Sequence, residues 1–253
     1  MFLKLLLVGK AKMAEVKLER QIGDLEVFLT GLMPFDKGLK AISRAGGQLA
    51  PAQRVAQARL VAPREHSLWQ NGSWANENLV YVPAGYVEGE QSPFVLWTSG
   101  QHSPIPKYAP QATQAHRDHK EFYVPESDFE AILKQARADT DKPPAAREVL
   151  LDNRVDAFEA AAQKLGADQL MQFVFKGDLG AYAARLTKFE VPSVLVYLAG
   201  VWHTNAQEQP FARALWLHDV DGGLSSDFRG SYYGSRARGV RRVAPATAYK
   251  RFF

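Results

Sequence analysis

Leu170-Met-Gln-Phe-Val-Phe175, followed by Lys176-Gly-Asp178 and then Leu179-Gly-Ala-Tyr-Ala-Ala-Arg-Leu186, is the stretch on which the fold turns. The first run reads as a strand. The second reads as a short amphipathic helix. Working outward, residues 194–202 and 213–218 read as strands, 222–239 as a glycine-, serine- and arginine-rich loop, and 240–244 as a last strand. Upstream, Asp152 reads as the cap of a helix with Val155, Phe158, Ala162 and Leu165 on one face, closed by Gly166. This order predicts an α+β fold. Its C-terminal unit, residues 147–253, is expected to be ferredoxin-like (RRM-like), with the second helix shortened or replaced by the basic glycine-rich loop.

The first 140 residues read as a β-rich N-terminal domain with insertions. Residues 2–8 suit a strand, 14–20 and 25–29 a hairpin around Gly23-Asp24, and 36–44 a short helix stopped by Gly46-Gly47. Residues 79–82 and 94–97 read as strands, and the proline-bearing stretch 100–119 as a loop or linker. Ser127-Asp-Phe-Glu130 has the capping-box form and opens a helix that runs to Ala138. The Pro143-Pro144 segment, 139–146, cannot continue that helix and is the expected domain boundary.

Composition narrows the chemistry. The chain has 253 residues, 46% hydrophobic and 23% charged, which suits a folded protein with a sizeable core. With no cysteine there are no disulfides, thiolate metal sites or cysteine nucleophiles. No apolar run approaches the roughly 20 residues of a spanning helix, so no membrane association and a cytoplasmic location are expected. The apolar run near Met1 is followed by Gly9-Lys-Ala-Lys12, unlike a signal-peptide cleavage site, and either Met1 or Met13 serves as a start.

Charge is distributed unevenly. From Arg229 onward the chain carries Arg229, Arg236, Arg238, Arg241, Arg242, Lys250 and Arg251 and no acid, against a net charge of +4, so the residues before Arg229 are net negative. Guanidinium forks hold phosphate oxygens bidentately, Gly230, Gly234 and Gly239 allow close backbone approach, and Tyr232 and Tyr233 offer stacking faces for unpaired bases. The seven cations and two tyrosines are the expected nucleic-acid-binding residues, with single-stranded RNA as the expected ligand. The bland alternative is a solvated basic tail, or an arm that docks on the chain's own acidic body or on a partner subunit.

Gly234-Ser-Arg-Ala-Arg-Gly-Val-Arg-Arg-Val243 resembles the glycine-rich loop near the C-terminus of RAMP-superfamily proteins, the RNA-binding and RNA-processing subunits of CRISPR systems. The likeness spans about ten residues, and Val240 and Arg241 depart from the family pattern. It implies ferredoxin-like domains, and guide-RNA binding through Arg236 and Arg238 within a ribonucleoprotein with protein partners.

Other constellations have weaker patterns. His116-Arg-Asp-His119 places two imidazoles at a spacing that one metal could span, with His102 as a third ligand, but lacks a flanking carboxylate motif. Asp219 and Asp221 could hold Mg²⁺, yet Asp and Gly there also suit a turn. His203 and His218 are available as general bases for a metal-independent endoribonuclease. Trp69 and Trp74 flank a polar loop and are candidates to bind a ligand, whereas Trp202 and Trp216 read as core. No cofactor or metal is expected, and no catalytic residue is assigned. The functional expectation is an RNA-binding subunit, with a structural or assembly protein and an endoribonuclease as rivals.

Overall fold

A computed structural model describes residues 16–197, 208–218, 223–225 and 236–242. Its strands are β1 (Val16–Ile22), β2 (Leu25–Thr30), β3 (Gln48–Leu49), β4 (Ser73–Val82), β5 (Phe94–Thr98), β6 (Phe122–Tyr123), β7 (Val149–Asp152), β8 (Phe158–Ala161), β9 (Ser193–Tyr197), β10 (Phe211–Leu217), β11 (Leu224–Ser225) and β12 (Arg238–Arg242). They form two sheets. The smaller has the order β1-β2-β12-β3; the larger runs β7-β5-β4-β10-β11-β9-β8, with β6 beside β10. The pairing of β11 with β9 is parallel.

The larger sheet is covered on both sides, and β4 shows why. Its residues are buried at nearly every position. Successive side chains point to opposite faces, so Leu79 and Tyr81 join one core and Val80 and Val82 the other. The helices Ala52–Leu60, Gln169–Phe175 and Leu179–Lys188 contribute to the first core. Pro104–Lys107, Ala109–Arg117 and Glu126–Ala138 contribute to the second. Fully burying one such aliphatic side chain stabilises by about 1.5–3 kcal/mol, which favours a strand hydrophobic on both faces over an alternating one.

The decisive run does not form a strand. Gln169–Phe175 is a helix, started by the Asp168 side chain, which accepts the Met171 amide N–H at 3.1 Å. Leu170, Met171, Phe173, Val174 and Phe175 are all buried. A helix apolar on every side has no polar stripe, and over six residues its sequence resembles a buried strand. The expected ferredoxin-like unit loses its first strand. Its first helix, expected at 179–186, forms as Leu179–Lys188, but the helix expected upstream is absent: Asp152 ends β7 and grips Arg154, and Phe158–Ala161 is the edge strand β8. The last strand, Arg238–Arg242, pairs with β2 and β3 of the smaller sheet rather than with β9.

Elsewhere the proline-bearing stretch 100–119 holds two short helices with proline in their first turns, where the missing N–H costs nothing. The helix Glu126–Ala138 ends where expected, but without a side-chain cap at its start. The Gly23-Asp24 hairpin is present, with Ile22 opposite Leu25 and Gly23 at φ 59°. β5 and β7, on either side of residues 139–146, are paired neighbours, so that segment connects elements of one sheet. Residues 2–8 lie outside the described residues. No helix among the described residues is long and apolar enough to cross a membrane.

Candidate functional site

One row of residues crosses the larger sheet and gathers the chain ends that lead to the aromatic and arginine-bearing stretches. Tyr197 on β9 stands opposite Ser225 on β11, and Ser225 stands opposite Trp216 on β10. Trp216 in turn faces Trp74 on β4, which bridges to Ala237. The Trp74 amide also donates to the Arg236 carbonyl at 3.1 Å. Residues 198–207 therefore begin at this row, and residues 226–235 both leave and return to it. The two stretches contain Trp202, His203, Arg229, Tyr232 and Tyr233. These five, with Lys250 and Arg251, lie outside the described residues.

The arginines that follow are placed differently from expectation. Arg238 is 0% exposed. Its Nε donates to Glu19 Oε2 at 2.7 Å, and its other nitrogens donate to the Asn71 carbonyl, Ser73 Oγ and the Ser67 carbonyl at 2.9–3.0 Å. Ser67 Oγ completes the arrangement by donating to Glu19 Oε1 at 2.7 Å. Burial pulls the Arg238 guanidinium below its ordinary range, Glu19 opposes that, and neighbouring Arg59 and Arg236 add to it. Arg236 donates to Asn71 Oδ1 at 2.7 Å, and Arg241 pairs with Glu26 at 2.6 Å. Arg242 is exposed. A group enclosed as Arg238 is cannot reach a phosphate: it anchors the frame, and Arg241 is half committed to the same task.

Gly239, read as room for a phosphate chain, makes room for an aromatic ring. A Cβ there would sit 2.3 Å from Phe28, and one at Gly47 would meet the same ring at 2.3 Å. Phe28 is thus held between two glycines. Gly72 likewise lets the Trp216 indole lie against the backbone, since a Cβ would approach it to 2.6 Å. Trp69 and Trp74, expected in a free loop, are 0% and 2% exposed. Trp69 Nε1 donates to the Arg59 carbonyl, and the Arg59 guanidinium lies 5.0 Å over its ring.

Arg59 is a second buried cation. It is 0% exposed and donates to the Leu68 carbonyl, Tyr182 hydroxyl and His218 carbonyl. It thereby ties the helix Ala52–Leu60 to the end of β10, just before residues 219–222. Outside this frame, the outward face of β9 carries exposed Leu195 and Tyr197, at 37% and 44%.

No protein-family model and no curated protein matches the chain. A solved structure does: a protein from Nanoarchaeota, described as accommodating massive sequence variation by the C-type lectin fold. The two superpose with a TM-score of 0.55 at 15% identity, over 89% of this chain and 100% of that one. The chain has a C-type lectin fold.

A C-type lectin fold overturns the expected ferredoxin-like unit, and with it the fold-based part of the likeness to CRISPR RNA-binding subunits. The ten-residue resemblance at 234–243 takes in β12, where Arg238, Gly239 and Val240 are buried. Among the described residues no group of three His, Cys, Asp or Glu could hold a metal. His102 instead meets Glu148 at 2.8 Å, and His116 lies in the last turn of the helix Ala109–Arg117. The His218 ring lies 6.1 Å from Tyr197; His203, Asp219 and Asp221 lie outside the described residues. Sequence reasoning missed Glu19, Arg59 and Asn71, the partners that hold the site's base. Burial of Arg59 had one signal, its place among the alanines of an otherwise apolar helix face.

Proposed function

We propose that this chain is a recognition module that docks on a protein partner through the sheet end where residues 198–207 and 226–235 join the frame. The row Tyr197–Ser225–Trp216–Trp74–Ala237 carries the reading, because it brings the ends of two separate stretches together. Between them the stretches carry Trp, Tyr and Arg, the residue types that dominate protein interfaces. Leu195 and Tyr197 add exposed apolar surface beside them, as interface centres do. The solved C-type lectin-fold protein accommodates massive sequence variation. Such tolerance suits a frame whose buried ties, Arg238–Glu19 and Arg59–His218, lie outside the two stretches.

Photocrosslinking tests this. A benzophenone amino acid at position 195 should capture a protein that the same group at exposed Leu18, on the smaller sheet, does not. The captured protein, once purified, should bind the chain and lose at least roughly tenfold in affinity to Leu195→Asp with Tyr197→Asp. Equal capture from both positions, or unchanged affinity of the double variant, contradicts the proposal.

A further inference from the structure

Glu77 is a carboxylate in an apolar core. It sits on β4, 1% exposed, and by strand alternation shares a face with Leu79 and Tyr81. Its Oε2 accepts the amide N–H of Ala52 at 2.9 Å. Ala52 opens the helix Ala52–Leu60, whose cap residue, Pro51, has no side-chain bond to offer. A distant strand therefore supplies the cap. The same segment ties in β12: the Asn76 amide donates to the Ala50 carbonyl at 3.1 Å, and the Ala50 amide donates to the Arg238 carbonyl at 2.8 Å.

The donors to this carboxylate are amides, of Ala52 and of Glu77 itself, and the charged group whose field reaches it is Lys176. The other acid at that helix end, Asp178, is held by Gln53 and Gln57 at 2.8 Å each. Burial outweighs the amides and Lys176, and the Glu77 pKa is pushed up to about 7.

We propose that Glu77 is a proton-operated latch on the seating of residues 50–52 and β12, the strand that returns from residues 226–235. The neutral carboxyl keeps a carbonyl oxygen for Ala52 and spares the core a charge; the ionised form caps more strongly but must be held without water. Because the folded-state value lies above the ordinary 4.5, the folded chain binds the proton more tightly than the unfolded one. The contribution of Glu77 to stability is therefore fully present below about 4.5 and is lost as pH rises through about 7. The inference stands without the proposed partner, since its test reads folding and not docking.

Urea unfolding of the whole chain at about pH 5.5 and about pH 8 should show a folding constant roughly 30-fold larger at the lower pH. Glu77→Gln should lose that factor, and Lys176→Met, which removes the opposing charge, should move the midpoint upward. Amide exchange at Gly239 and Val240, corrected for its intrinsic pH dependence, should quicken toward pH 8 in the native chain and not in Glu77→Gln. Persistence of the factor in Glu77→Gln, or a Glu77 carboxyl carbon that titrates near 4.5 by NMR, overturns the proposal. So does a stability change with no quickening of the β12 amides.

Discussion

Arg238 and Glu19 form an ion pair at 2.7 Å whose side chains are 0% and 1% exposed. Glu19 lies on β1 and Arg238 on β12, so the pair joins strands that are not neighbours in the smaller sheet to the turn at Ser67–Asn71. Removing one partner leaves the other's charge buried and alone, which costs about 3–5 kcal/mol. Glu19→Ala and Arg238→Ala are each predicted to lower urea-unfolding stability by that order. Arg238→Met with Glu19→Leu should recover most of it, because neither charge then remains. Loss below about 1 kcal/mol in either single variant would mean that the pair is solvated.

Phe28 gives the second prediction. Its ring occupies the space in front of Gly47 and Gly239, so Gly239→Ala forces an overlap that the sheet backbone cannot relieve. Overpacking of this kind costs about 1–3 kcal/mol. Thermal unfolding should show the loss, and Phe28→Leu should cost less in the Gly239→Ala background than in the native chain. Additive effects would place the ring elsewhere.

Asp168 separates two roles by substitution. Its carboxylate caps the helix Gln169–Phe175 and pairs with Arg154, which also holds Asp152. Asp168→Asn keeps a capping oxygen and loses the charge, whereas Asp168→Ala loses both. Urea unfolding should show alanine costing about 0.5–2 kcal/mol more than asparagine. Equal effects of the two would leave the helicity of residues 169–175 without its cap as a cause.

Legibility in the sequence follows the range of the forces involved. The Gly23-Asp24 hairpin, the second part of β4 from Leu79, the strand β5 and the end of the helix at Ala138 rest on local turn chemistry and apolar runs, and are readable. Residues 170–175 are not, because complete burial erases the polar stripe that distinguishes a helix from a strand. The arginines show the same limit for charge. A count from Arg229 onward finds seven cations and no acid, yet Arg238 and Arg241 meet Glu19 and Glu26, 219 and 215 residues away along the chain.

Arg238 is enclosed with Glu19, and Arg236 and the half-exposed Arg241 bond to Asn71 and Glu26 of the frame; the prediction is that these three arginines add little to the binding of a nucleic acid. Fluorescence anisotropy of generic single-stranded RNA, titrated at roughly 50 and 200 mM salt, tests this most directly. The predicted result is weak binding with a shallow salt dependence, unchanged by Arg236→Ala. Tight binding that falls by about 10³-fold or more across that range, as roughly six or more phosphate contacts require, and that Arg236→Ala weakens, would contradict it.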